Sequence, residues 1–145
     1  MTDLSAINAL KGLLPKSWYA FLARFGTPTP IQLAGIPVIM RGRGVLLISP
    51  TASGKTETYA APMSERIQSF EGPRILSGWI VSPTRALVND LARRLEAPLG
   101  AMGLRVGRRT GEHREISGSK PPHLVVTTPE SLDSILSRYP LLLST

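Results

Sequence analysis

Residues 45–56 read VLLISPTASGKT, a continuous apolar run that turns through small and polar residues into Gly-Lys-Thr. The run VLLIS has the composition of a strand buried on both faces, and KTETYAAPMSERIQSF behind the glycine reads as a helix, with Pro62 an irregularity inside it. Strand, loop and helix in that order make a phosphate cradle. Backbone N–H groups at a helix start face the anion, a lysine reaches the β and γ phosphates, and a hydroxyl binds Mg²⁺. Gly54 permits close backbone approach, Lys55 supplies the charge and Thr56 the hydroxyl. Ser49 stands where glycine or alanine is usual, and Ala52 fits if its backbone angles stay in a region open to an L-residue. The competing reading, a plain helix start with an exposed lysine, does not account for the strand before it.

The rest of the chain extends this pattern. Leu4, Ile7, Leu10, Leu13 and Leu14 have helical spacing up to Pro15, and Trp18, Phe21, Leu22 and Phe25 repeat it in SWYAFLARF. GTPTP at 26–30 is a stiff loop, a helix follows from Pro30 to Met40 with a kink or early end expected at Pro37, and RGRG at 41–44 is a turn. SGWIVS at 77–82 predicts a strand, TRALVNDLARRLEAPL an amphipathic helix on Leu87, Leu91 and Leu95, and GLRVGRRT a short strand. HLVVTT at 123–128 predicts another strand and ESLDSILSRY a helix opened by Pro129, while GEHREISGSKPP reads as a polar surface excursion. Alternating strands and helices of this kind predict a three-layer α/β domain with a mainly parallel sheet.

A chain of 145 residues is the size of one domain, and its formal net charge of +7 favours a polyanionic partner such as nucleic acid. Without cysteine there are no disulfides or thiolate metal sites, and His113 and His123 lack metal-ligand spacing and read as surface or loop residues. No apolar stretch approaches the roughly 20 residues that span a bilayer. MTDLSAINAL has no basic n-region, so the expectation is a cytoplasmic protein beginning at its true start, with no membrane partner.

Three further stretches narrow the function. FGTPTPIQ at 25–32 resembles the Q motif of superfamily 2 helicases, whose glutamine meets the adenine edge; a carboxamide suits that edge because it donates and accepts at once. SPTRALVNDLARRL at 82–95 resembles motif Ia and VVTTPESLDSIL at 125–136 resembles motif Ib, each a strand followed by a helix start at which N–H groups and a threonine hydroxyl can meet a phosphate. RRTGE at 108–112 resembles the glycine-containing segment that touches the strand in such enzymes.

Together these motifs resemble the first RecA-like domain of a superfamily 2 DEAD/DEAH-box-type helicase over residues 15–138, a P-loop NTPase fold. TASGKTE and TTPESLDSIL are most similar to the large helicase-related (Lhr) proteins. The resemblance implies ATP and Mg²⁺ as ligands. It assigns catalysis to Lys55 and Thr56, the metal to Thr56, and the nucleotide to Phe25, Thr27, Gln32, Thr51, Ala52, Ser53, Gly54, Lys55, Thr56 and Glu57. It assigns nucleic acid to Pro83, Thr84, Arg85, Thr110, Gly111, Thr128, Pro129 and Glu130, although the Glu130 charge would repel a phosphate and suits capping or packing better. Residues 1–40 would be a helical lead-in with the Q motif, and 41–145 the phosphate loop with motifs Ia and Ib, all within one partial domain.

No Asp-Glu motif of the Walker B kind follows, so the expected chain is an amino-terminal piece, truncated before that strand and before a second RecA-like domain. It would bind ATP and a single-stranded or partly duplex nucleic acid without hydrolysing ATP itself, while its parent unwinds or translocates. DNA is the favoured strand and RNA the serious alternative; backbone contacts of this kind do not read sequence, and no residue in the sequence is visibly placed to sense a 2′-hydroxyl. A nucleic-acid-binding module without nucleotide would explain the charge but not the phosphate loop. A small kinase would explain the loop but not the Pro-Thr-Arg and Thr-Pro-Glu helix starts.

Overall fold

The computed structural model describes residues 3–111 and 120–139, which fall into two compact units, Met1–Glu71 and Gly72–Thr145. The first unit is helical. Helix α1, Leu4–Leu13, starts where the Asp3 carboxylate accepts the Ser5 N–H at 2.9 Å. It buries Leu10, and Leu14 just beyond it, while Leu4 is exposed. The short helix α2, Trp18–Phe21, runs into a 3₁₀ turn at Ala23–Phe25. The chain entering α2 is held by a buried carboxylate, Glu65, which accepts the N–H groups of Lys16 at 3.0 Å and Ser17 at 2.7 Å. Those backbone donors replace part of the water that a buried carboxylate gives up.

Helix α3, Pro30–Met40, has proline in its first turn, where no N–H is needed, and continues through Pro37 without the expected early end. Helix α4, Lys55–Ser69, likewise continues through Pro62. The two helices meet closely at Gly35, where a Cβ would come within 2.6 Å of Thr58 Cγ2. Ala60, Ala61 and Ile36, all fully buried, fill the contact region with small and branched side chains.

One expected element does not form. Residues 45–49, predicted as a strand buried on both faces, pair with no strand among the described residues, and Leu46 and Ile48 are 82% and 80% exposed. A strand is defined by the neighbour that completes its ladder. The described strands of this chain bond only to one another.

Those strands belong to the second unit: β1 at Gly78–Val81, β2 at Val106–Arg109 and β3 at Leu124–Thr127, parallel and in the order β1-β3-β2. The register aligns Gly78 and Val106 with Leu124 on either side. As the central strand, β3 is buried along its whole length, as its unbroken apolar sequence predicts. Helix α5, Arg85–Ala101, packs on β2 and β3. Its buried stripe is Val88, Ala92, Leu95 and Leu99 rather than the predicted Leu87, Leu91 and Leu95, and Leu87 is 46% exposed. Spacings of four, three and four make that stripe a straighter line along a 3.6-residue helix. Helix α6, Pro129–Arg138, follows β3 directly and buries Ile135. Most of the predicted polar excursion, residues 112–119 with His113, lies outside the described residues. No described helix is long and apolar enough to cross a membrane.

Candidate nucleotide loop and strand cleft

In the first unit the loop 49–54 closes on Gly54, which sits at φ +86° immediately before α4. A Cβ there would overlap the Gln32 side-chain nitrogen, so glycine is required twice over, by backbone angle and by space. Ala52 takes φ 59°, inside the narrow left-handed region that L-residues can occupy. Thr51 and Ala52 form the exposed tip, and Ser49 and Ser53 share a hydroxyl–hydroxyl hydrogen bond that braces the base. Lys55 Nζ donates to the carbonyls of Ser49 at 2.6 Å and Pro50 at 2.8 Å, so its ammonium lies folded over its own loop.

No side chain caps α4, although Asp3, Thr84 and Thr128 cap α1, α5 and α6. A helix start leaves its first N–H groups without carbonyl partners inside the helix. An uncapped start beside an ammonium is a donor set that fits a polyphosphate. Thr56 offers one hydroxyl to a cation. Among the described residues no cluster of histidine, aspartate or glutamate could hold a metal alone.

Gln32 is buried and reaches the same loop. Its Oε1 accepts the Thr29 N–H at 2.9 Å and its Nε2 donates to the Gly54 carbonyl at 3.4 Å. One lone pair and one N–H of the carboxamide remain for a ligand. Thr29 and Gln32 together form the capping box that opens α3. Phe25 is 54% exposed with the Arg24 guanidinium 4.6 Å from its ring centre. Thr27 is exposed too and donates its N–H to the Phe25 carbonyl, while Glu57 is buried in the first turn of α4.

In the second unit an open cleft of about 580 Å³ lies at the carboxyl ends of all three strands. From the end of β1 come Pro83, Thr84 and Arg85, from β2 Arg109, Thr110 and Gly111, and from β3 Thr128, Glu130, Ser131 and Ser134. Parallel strands place their loops and helix starts at this end, where open α/β sheets bind ligands. Thr84 Oγ1 accepts the Leu87 N–H and Thr128 Oγ1 the Ser131 N–H, so both helix starts are closed by their own threonine. The Arg85 guanidinium lies against Gly111, 3.2 Å from where a Cβ would stand, which brings the residues of two sequence-distant segments together.

Every residue that the motifs assigned to nucleic acid thus lines one cleft, except Pro129, which is exposed in the first turn of α6. Sequence reasoning missed Arg109, Ser131 and Ser134. Arg109 was detectable as the cation preceding Thr110-Gly111, and the two serines as an i, i+3 pair on one helix face.

At the opposite, amino-terminal end of β3, His123 lies in the loop just before the strand, as expected, and is half-buried there. Its Nδ1 accepts the Arg105 N–H at 2.9 Å, and its backbone joins Arg105 and Ser77. Burial first, then the charges of Arg105 and Arg74, lower its pKa from the ordinary 6.5. The imidazole is held neutral, as an acceptor must be.

A model of the DEAD/DEAH box helicase family matches residues 29–144. The ATP-dependent rRNA helicase RRP3 of Yarrowia lipolytica is 36% identical over 113 residues, which are 75% of this chain and 23% of that protein. The ATP-dependent helicase Lhr-Core protein 2 of Thermococcus barophilus is 38% identical over 132 residues, covering 77% and 15%. Among solved structures, the RNA-helicase Prp28 of Chaetomium thermophilum bound to ADP superimposes with a TM-score of 0.74 at 28% identity, over 90% of this chain and 34% of that one. The chain therefore spans about a quarter or less of the length of these two curated relatives. A RecA-like arrangement, a lysine-lined loop before an uncapped helix and a family match over most of the sequence lead to one conclusion: this chain belongs to the DEAD/DEAH box helicase family.

Proposed function

We propose that the chain is the nucleotide- and strand-binding part of an ATP-dependent RNA helicase. Its first unit takes ATP and its second takes the RNA backbone. The observation that carries the nucleotide half is the start of α4 at Gly54, which brings no capping side chain, with Lys55 held by two loop carbonyls it would exchange for phosphate oxygens. When bound, ATP with Mg²⁺ supplies the phosphoryl chemistry that drives the complete enzyme. Here the N–H groups of residues 55–57 would orient the phosphates, Lys55 would balance their charge, and Thr56 would give the cation one oxygen. Gln32, bonded to the Gly54 carbonyl, would couple the shape of the loop to the adenine edge through its remaining donor and acceptor.

For the strand, the relatives move the reading from the DNA expected above to RNA, since RRP3 is named an rRNA helicase and Prp28 an RNA-helicase. Thr84, Arg85, Arg109 and Thr128 would hold phosphates without reading bases, as positioning contacts do. We assign residues 1–145 binding rather than turnover, and assign unwinding, with a second RecA-like domain as partner, to a longer protein. A narrower reading, an Lhr-like subfamily, rests on TASGKTE and TTPESL together with the Lhr-Core relative.

Titration with a fluorescent ATP analogue and Mg²⁺ tests the proposal. Lys55→Ala should weaken binding about 10- to 100-fold, the worth of a charge-assisted contact. Equal binding by variant and parent sequence would refute the phosphate loop.

A further inference from the structure

The strand cleft contains one group that does not suit a polyanion. Among two guanidinium groups and several hydroxyls, Glu130 contributes a carboxylate, exposed at the second position of α6. As an acid in the first turn of α6 it favours the positive end of the helix, but the hydrogen-bonding cap belongs to another residue. Thr128 already caps the helix, its Oγ1 accepting from the Ser131 N–H and meeting the Ser131 hydroxyl at 3.2 Å, and the exposed Glu130 side chain fills no core. A carboxylate group accepts hydrogen bonds, so it is a poor neighbour for phosphate and a good one for a donor. In a sugar–phosphate backbone the 2′-hydroxyl is the donor, and it is the group that RNA has and DNA lacks.

We propose that Glu130 is the residue by which the cleft distinguishes ribose from deoxyribose, its carboxylate accepting a hydrogen bond from a 2′-hydroxyl of the bound strand. The inference rests on the reading of the cleft as the strand site and adds selectivity to it. Arg85 and Arg109 hold the phosphates of either polymer, while Glu130 weakens binding of both by repulsion and returns that loss only to the strand with a hydroxyl to donate. The sequence alone shows no sensor of ribose. It becomes visible when β3 and α6 bring Glu130 to the same cleft as Arg85 and Arg109.

The test is anisotropy binding by the 145-residue chain of oligouridine, oligodeoxyuridine and 2′-O-methyl oligouridine of equal length, in the original sequence and in the Glu130→Ala, Glu130→Gln and Arg85→Ala variants. The original sequence should prefer oligouridine to both other strands. Glu130→Ala should bind oligodeoxyuridine as well or better and lose most of the preference, about tenfold if the contact is a full charge-assisted hydrogen bond. Glu130→Gln, which keeps an acceptor oxygen, should retain part of it. Equal tightening of all three strands in Glu130→Ala would reduce the residue to simple repulsion and overturn the proposal. A preference that survives in Glu130→Ala, or one absent from the original sequence, would also overturn it. If Arg85→Ala leaves every affinity unchanged, the cleft itself is not the strand site, and that result is distinct from one in which Arg85 matters and Glu130 does not.

Discussion

The helix that follows the phosphate loop and the two that border the cleft begin in opposite ways. Helix α4 starts at a left-handed glycine, which brings no capping side chain, whereas α5 and α6 start at extended threonines whose hydroxyls close back on the helix. An unclosed start keeps its full positive end for an outside anion; a closed one has already spent part of it. This contrast suits a site that must grip a compact, highly charged polyphosphate and a site that must hold and release successive phosphates of a strand.

The largest test of the contrast compares two glycines. Gly54→Ala forces a methyl group into the left-handed region and into the Gln32 amide, and should destabilise the first unit by about 2–3 kcal/mol in denaturant unfolding while abolishing nucleotide binding. Gly111→Ala has an ordinary backbone and, among the described residues, meets the movable end of Arg85, so its stability should change by less than about 0.5 kcal/mol. A change as large as that of Gly54→Ala would erase the distinction between a strained loop and an adaptable cleft.

Next in size are the caps. Thr84→Val and Thr128→Val should each cost about 1 kcal/mol by thermal unfolding, because an N–H loses its partner. Removing the Arg85 guanidinium should lower the slope of log affinity for RNA against log salt by about 0.7, the value of one single-strand phosphate contact. An unchanged slope would place Arg85 off the strand.

The smallest expected effect is that of pH on His123. Its folded pKa lies below 6.5, so the unfolded chain takes up the proton first as pH falls. Its contribution to stability is therefore complete above pH 6.5 and declines as pH drops from there toward the folded pKa. The His123→Gln variant, scanned by melting temperature across that window, should show a flatter profile than the original sequence.

Much of this was legible in the sequence because local chemistry fixes it. Gly-Lys-Thr behind an apolar run marked the loop, and Thr84-Arg85 and Thr128-Pro129 marked helix starts whose caps need nothing beyond three residues. What escaped is set by distant neighbours. VLLIS has the residues of a buried strand, but no periodicity can show whether a pairing strand is present. Gln32 was assigned to adenine on its motif, and its bond to Gly54, 22 residues away, could not be read from local pattern. Arg109 and Ser134 belong to the cleft only because β2 and β3 are adjacent in the sheet, an order that the sequence does not state.

The central claim, that nucleotide and RNA engage separate parts of this chain, is tested most directly by amide chemical-shift mapping with ATP·Mg²⁺ and with oligouridine in separate titrations. The account predicts that ATP moves the amides of residues 51–57 and Gln32, and that RNA moves those of residues 84–87, 110–111 and 128–131. If ATP leaves Gly54, Lys55 and Thr56 unmoved, or if RNA shifts that loop while the cleft stays silent, the division of labour proposed for the two units is wrong.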